Sequence, residues 1–191
     1  MITYNESLTM EEVSMLFSLL EKTIEEIKHQ EFYLRNESME FVSLKIAGQW
    51  YRLETRASGC DFNGLDDLFF LRFRRCEEEE TEYPPECNTA NTSDSINEKL
   101  VDVLLIEDAI ERKYNGVPDS VLNHTKAIIF VLESKQYCFE LDSQYCEFIR
   151  VNKGQSCVER VKSATIYWGN GEPEDGYSWH CTRKVVSVSP K

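Results

Sequence analysis

Two short segments of alternating apolar and polar residues, joined by a turn, constrain the fold of this chain most strongly. They span residues 41–46 and 50–55 and are rich in β-branched and aromatic side chains. A period of two places alternate side chains on opposite faces of a strand. Gly48 lies between the segments and can take the left-handed conformation that a tight turn requires. The pattern therefore predicts a β-hairpin and, with it, an antiparallel sheet.

Further segments of the chain also have the composition of strands. They contain runs of apolar and aromatic residues bounded by polar or turn-forming residues, as strands do. A stretch rich in glycine and acidic residues at 169–176 separates the last two and predicts a closing pair of strands. The segments are 68–73, 127–132, 137–141, 146–151, 164–168 and 177–188.

Two helices are predicted to pack on one face of this sheet. Thr9 and Glu12 form a capping box, and apolar residues spaced three or four apart follow it to about residue 31. Ser95 and Glu98 form a second capping box, followed by a similar apolar stripe that ends at the glycine cap Asn115-Gly116. The fold class expected from these elements is α+β, an antiparallel sheet with two helices on one face.

The two halves of the chain carry similar patterns. The same number of residues separates Thr9 from Tyr51 and Ser95 from Tyr137. These matched lengths predict a duplicated helix–β–β–β unit. The alternative is that any two segments with a helix and a hairpin share apolar periodicity.

The stretch between the halves changes in composition. Residues 77–98 are first acidic and then rich in Asn, Thr and Ser, so they have little to bury and predict a linker or a long surface loop. The predicted organisation is a first half at 1–76, the acidic linker at 77–98 and a second half with extra C-terminal strands at 99–191. One compact domain formed by both halves is the open alternative.

Acidic residues outnumber basic ones by a wide margin. The chain has 34 Asp and Glu against 21 Lys and Arg, a net charge of −13 in 191 residues. This charge repels nucleic-acid phosphates and anionic membranes and attracts basic proteins. We therefore expect a basic protein partner, no direct nucleic-acid binding and no membrane association. No apolar run is long enough for a membrane-spanning helix, and no signal peptide is visible, so a cytoplasmic location is expected.

The residues that usually carry catalysis or metal binding form no recognisable motif. The seven cysteines lack the two-to-four-residue spacing of zinc sites, and without a secretion signal they are expected to be reduced. His29 and His124 are interpreted as surface residues. His180 and Cys181 are neighbours in a predicted strand, so their side chains point to opposite faces and cannot form a hydrogen-bonded couple. No catalytic residue, metal or cofactor is predicted, although a distant cysteine that reaches His180 stays an alternative. The cysteines are residues 60, 76, 87, 138, 146, 157 and 181.

Five arginines cluster on the first-half strands. Alternation places Arg72 and Arg74 on one face, near Arg52 and Arg56, with Arg75 beside them. These side chains could form a small anion pocket or pair with the protein's own acids. The large acidic excess favours the second interpretation.

The leading functional hypothesis is a non-enzymatic regulator or inhibitor that binds a basic, nucleic-acid-handling partner such as a nuclease or toxin. In size and charge the chain is similar to immunity proteins and phage-encoded inhibitors of host defence. Acidic groups beside aromatics combine long-range attraction with an anchor. The predicted partner-binding residues are Glu77, Glu78, Glu79, Glu80, Glu82, Glu172, Glu174, Asp175, Tyr177 and Trp179.

Three alternatives to this hypothesis stay open. The acidic residues could serve only to keep the protein dissolved, since charged runs in loops are usually solvated. The chain could instead be a small-anion ligand-binding domain or an enzyme of unknown reaction. A homodimer is also compatible with the sequence, because antiparallel sheets leave edge strands that can pair between chains.

Overall fold

The computed structural model describes residues 1–31, 37–60, 62, 68–83, 90–143, 147–162 and 176–189. Within these ranges lie eleven strands, one α-helix and two 3₁₀ helices. The strands are β1 Ile2–Glu6, β2 Thr23–Glu31, β3 Glu37–Met39, β4 Phe41–Ile46, β5 Gln49–Ser58, β6 Leu68–Arg75, β7 Ala90–Tyr114, β8 Val117–Leu132, β9 Gln136–Leu141, β10 Phe148–Gly154 and β11 Tyr177–Ser187. The helix α1 spans Met10–Ser18, and the 3₁₀ helices span Glu78–Thr81 and Val158–Arg160.

The strands form a mostly antiparallel sheet in the order β3-β10-β9-β8-β7-β2-β4-β5-β6. The strand β1 pairs in parallel with β8, and β11 pairs with β7. The strands β3 and β4 are consecutive in the chain but pair with different parts of the sheet. β3 pairs with β10, whereas β4 pairs with β2 and β5. Glu40 separates β3 from β4 with a positive φ of 61°. Two strands that lie far apart in the hydrogen-bonded order, β3 and β4, therefore belong to one continuous segment of the chain. The sheet curls around an interior as a result.

The interior is filled by one large apolar cluster. It combines Leu16 and Leu19 at the helix with inward-facing residues of the sheet, such as Leu44, Leu53 and Phe130. Alternation places the other residues of each strand on the opposite face, where a smaller cluster forms around Ile129. Both faces of β8 are therefore buried along its apolar part, which explains why its sequence is an almost continuous apolar run.

The helix begins as predicted but ends earlier. Thr9 Oγ1 accepts a hydrogen bond from the Glu12 amide at 3.2 Å, and Glu12 Oε2 accepts one from the Thr9 amide at 2.6 Å. The second carboxylate oxygen of Glu12 accepts a hydrogen bond from the Phe73 amide at 2.9 Å, so the cap also ties the helix to β6. The prediction that the helix continues to about residue 31 is wrong. Glu21 takes a positive φ of 63°, and β2 follows.

The second predicted helix is wrong, because residues 90–114 form the long strand β7. Two β-bulges lengthen β7: its pairing with β8 leaves Val101 as an extra residue between Leu100 and Asp102, and its pairing with β2 leaves one extra residue between Ser95 and Glu98. An inserted residue turns a spacing of two into a spacing of three, which imitates the periodicity of a helix. Asn115-Gly116 is the turn between β7 and β8 rather than a helix cap, and both residues have positive φ, as a type I′ hairpin turn requires.

The other predictions from the sequence have mixed outcomes. The β4–β5 hairpin is confirmed, and so are strands in the segments that became β6, β8, β9, β10 and β11. The helix-to-helix match behind the duplicated unit is wrong, because Ser95 lies in β7. Residues 90–98, predicted as linker, also belong to β7. The predicted strand 164–168 lies outside the described residues. A mostly antiparallel sheet that carries a helix remains compatible with the α+β class.

Candidate functional site

The outer face of strands β2, β4, β5 and β6 is rich in cations. Ile27, Leu44, Leu53 and Phe73 point into the interior, so alternation turns their neighbours outward. Basic side chains from all four strands lie on this surface together with two aromatic ones. We call this surface the cationic face. Its members are Lys28, Lys45, Arg52, Arg56, Arg72 and Arg74, with Phe41 and Trp50.

A single buried carboxylate of the sheet lies among these arginines. Glu54 is 7% exposed. Its oxygens lie 2.5 Å from Arg56 Nη2 and 3.3 Å from both Arg52 Nε and Arg74 Nε. Arg72 pairs instead with Glu6 of β1. The interpretation that the arginines pair with the protein's own acids is thus confirmed, yet three guanidinium groups share one carboxylate and the face keeps an excess of positive charge.

Residues 77–83 lie across the cationic face, and we call them the acidic strap. Glu80 Oε1 accepts a hydrogen bond from Arg74 Nη2 at 2.8 Å, and the Glu80 carbonyl accepts one from Arg52 Nη1 at 3.3 Å. Glu82 Oε1 lies 3.1 Å from Lys28 Nζ. The strap therefore supplies carboxylates that the sheet itself lacks.

Aromatic contacts anchor the end of the acidic strap. The Tyr83 ring stacks on Phe41, with ring centroids 4.2 Å apart and an interplanar angle of 7°. Its hydroxyl donates a hydrogen bond to the Phe41 carbonyl at 2.5 Å. The Arg52 guanidinium lies 3.5 Å from the centroid of the same Phe41 ring. Thr81 is also buried. The strap is thus held by packing as well as by charge.

The charges of the strap and the sheet stabilise one another. The hydrogen bond from Arg74, followed by one from the Glu77 amide, lowers the pKa of Glu80 from 4.5 to about 2. The hydrogen bond to Glu80 in turn raises the pKa of Arg74. Glu80 is therefore ionised throughout the physiological pH range and keeps its contact with the sheet.

The structure divides the acidic run that the sequence singled out. Glu77, Glu78 and Glu79 are exposed to solvent, whereas Glu80 and Glu82 contact Arg74 and Lys28. Three adjacent carboxylates are thus accessible to a partner. The contacts of Glu80 and Glu82 help to hold the backbone that carries them. The expectation that the run is a plain solvated loop does not fit Glu80 and Glu82.

The second predicted group of site residues is only partly described. Tyr177 and Trp179 lie in β11 and are half-buried. Their rings lie 5.0 Å from Tyr114 and 5.9 Å from Phe62, measured between centroids. Glu172, Glu174 and Asp175 lie outside the described residues. The two aromatic residues therefore contribute to packing against neighbouring rings.

A buried cluster of charged residues escaped the sequence analysis. Lys126 and Glu140 are each 0% exposed, and Lys126 Nζ lies 3.5 Å from Glu140 Oε1. The same lysine donates hydrogen bonds to the carbonyls of Leu141 and Asp142. Arg150 Nη1 lies 3.8 Å from Glu140 Oε2. Burial lowers the pKa of Lys126 and raises the pKa of Glu140. A charge inside an apolar strand segment is the sequence signal that could have revealed this pair.

Two histidines were wrongly predicted to lie at the surface. His29 in β2 and His124 in β8 are 5% and 0% exposed, and the Phe70 ring of β6 lies 6.0 Å from the His124 ring. Burial lowers the pKa of His124 from 6.5 to about 4, which keeps the imidazole neutral at physiological pH. Asp108, its neighbour across the ladder, is bound by Arg183 through two hydrogen bonds of 2.7 Å.

Three of the described cysteines are buried thiols with little nucleophilic character. Burial raises the pKa of Cys76 to about 11, and burial also raises the pKa values of Cys138 and Cys157. Thiols of this kind are protonated at neutral pH and react slowly. Cys181 is half-buried whereas its neighbour His180 is exposed, as expected for opposite faces of β11.

An open cleft of about 110 Å³ lies where the acidic strap meets β2 and β7. Among the residues that the structure describes, no three His, Cys, Asp or Glu side chains are arranged to hold a metal ion. No helix in the described ranges combines the length and the apolar character needed to cross a membrane. The cleft is lined by Lys28, His29, Thr81, Glu82, Tyr83, Thr92 and Ser93.

Comparison of the chain with protein-family models, with curated proteins and with solved structures finds no match.

Proposed function

We propose that this protein is a regulator or inhibitor that captures a basic, nucleic-acid-handling protein through its acidic surface. The observation that carries the proposal is the exposure of Glu77, Glu78 and Glu79 on a strap that the sheet holds in place. The net charge of −13 supplies attraction at longer range.

An anchored acidic segment is better suited to binding than a free one. Ordering a flexible residue costs about 1–2 kcal/mol of conformational entropy, and binding must offset that cost. The contacts of Glu80 and Tyr83 already fix the backbone of the strap. A partner that meets the three exposed carboxylates therefore loses less affinity to ordering. Complementary charge also speeds encounter and disfavours acidic competitors.

The proposal assigns different tasks to the residues. Glu77, Glu78 and Glu79 contact the partner, while Glu80 and Glu82 position them. Tyr177 and Trp179, together with the acids that precede them, form a second proposed contact. Catalysis has no part in the proposal. We also propose a cytoplasmic setting, which the reduced thiols of Cys76, Cys138 and Cys157 support.

The alternative of a small-anion pocket among the arginines has less support. Arg52, Arg56 and Arg74 all contact Glu54, and Arg74 also binds Glu80. A free anion would have to displace carboxylates that these guanidinium groups already hold.

The test is affinity capture from the native host, with the bound proteins identified by mass spectrometry. The variant E77K/E78K/E79K reverses the exposed charges, and E11K/E133K/E159K makes the same change in net charge at exposed sites elsewhere. We expect the first variant to lose at least tenfold of the captured basic protein and the second to keep most of it. Equal retention by both variants, or capture of small metabolites alone, would refute the proposal.

A further inference from the structure

We propose that the cationic face is a second binding site, which takes an acidic peptide segment that carries an aromatic residue. In the structure the acidic strap occupies this site as an internal ligand. This inference does not depend on the proposed function, since it concerns the surface beneath the strap rather than the exposed carboxylates.

The composition of the cationic face fits such a ligand. Lys28 Nζ and Lys45 Nζ lie 4.8 Å and 5.5 Å from the centroid of the Trp50 ring, so two ammonium groups lie beside one indole. Arg52 and Arg74 present guanidinium groups, which bind carboxylates through directed hydrogen bonds. Phe41 supplies a flat ring on which another ring can stack. Charge and aromatic surface are thus combined on one sheet face.

The contacts of the strap indicate what the site recognises. A carboxylate binds Arg74, the backbone carbonyl of the same residue binds Arg52, and an aromatic ring three residues later stacks on Phe41. These are contacts to a side chain, to the peptide backbone and to a ring. A free phosphate could make only the first of them. The recognised class is therefore a peptide with an acidic residue followed by an aromatic residue at the third position after it.

The hold of the strap on the face is exchangeable. The side chains of Arg74 and Glu82 are 31% and 67% exposed, and ion pairs with that exposure contribute little. The main anchors are Tyr83 and Thr81. Because the strap is part of the chain, its effective concentration at the face is in the millimolar range. A competing peptide must therefore bind weakly to the intact protein and more tightly once the strap is released.

The experiment uses a fluorescein-labelled peptide with the sequence of residues 77–83 and follows its anisotropy with the full-length protein. In the variant E80Q/E82Q/Y83A the strap loses its contacts with Arg74, Lys28 and Phe41. We expect this variant to bind the peptide at least tenfold more tightly than the original protein. The variant E80Q/Y83F, which keeps the ring, serves as the milder version if the first fails to fold, and near-ultraviolet circular dichroism verifies folding.

Control variants test whether the peptide binds at the proposed place. Adding R52M/R74M to the released variant should abolish binding, whereas adding K153M/R160M removes two exposed cations elsewhere and should leave it intact. Equal affinity of the released and original proteins would overturn the inference. Indifference to R52M/R74M would do the same. Dimerisation of the released variant without peptide would identify a second copy of the chain as the occupant and also overturn the peptide assignment.

Discussion

Removing one partner of the buried Lys126–Glu140 pair should destabilise the protein strongly. In the variant K126M the Glu140 carboxylate stays fully buried without its closest cation, which lies 3.5 Å away in the original protein. Loss of one partner from a buried ion pair costs about 3–5 kcal/mol. Arg150 at 3.8 Å and the Lys162 amide at 3.0 Å still support Glu140, so the expected loss lies near the lower limit, about 3 kcal/mol.

The assay is urea denaturation followed by tryptophan fluorescence. An exposed pair provides the matched control, because Lys153 Nζ lies 3.2 Å from Asp94 Oδ2 but its side chain is 58% exposed. The variant K153M should cost at most about 1 kcal/mol. The double variant K126M/E140L removes both charges and should recover most of the loss, because apolar replacement of a buried pair is often neutral. If K126M costs no more than K153M, or if K126M/E140L is no more stable than K126M, the reasoning about burial is wrong.

Three further perturbations have expected results. Because the folded pKa of His124 is about 4 and the ordinary value is 6.5, the unfolded chain binds the proton first. A stabilisation of about 3 kcal/mol present above pH 6.5 should therefore be lost as the pH falls to about 4, and H124Q should flatten that part of the measured stability curve. The contact of Glu80 with Arg74 should be intact above pH 4.5 and lost as the pH falls through about 2, which loosens the acidic strap; a nuclear magnetic resonance titration of the Tyr83 ring should show this transition in the original protein and not in E80Q. Gly116 has φ +79° with open space around it, so G116A should cost about 1 kcal/mol in urea denaturation through backbone strain alone, whereas G59A, at a position without positive φ, should cost less.

Some local patterns in the sequence predicted local elements correctly. The hairpin of β4 and β5 follows from alternation and a turn, because its two strands are neighbours in the chain. The capping box of Thr9 and Glu12 likewise depends only on residues three apart. The arginine pairing on one face follows from the period of two in β6. These features need no knowledge of distant segments.

Features that depend on contacts between distant segments of the chain were missed or predicted wrongly. The bulges in β7 are fixed by its pairing with β8 and with β2, and their inserted residues produced the false helical spacing. The parallel pairing of β1 with Ser120 to His124 joins segments that no local pattern connects. His124 packs near Phe70 of β6, and Lys126 contacts Glu140 and Leu141 of β9. The fold of the acidic strap depends on cations from β2, β5 and β6, which the sequence alone does not bring together.

The association rate between this protein and its proposed basic partner tests the central claim most directly. If exposed carboxylates on the acidic strap attract the partner, the rate should fall at least tenfold as the salt concentration rises from about 0.05 M to about 0.5 M, because salt screens exposed charges. The dissociation rate should change much less over the same range. An association rate that is independent of salt would contradict the account.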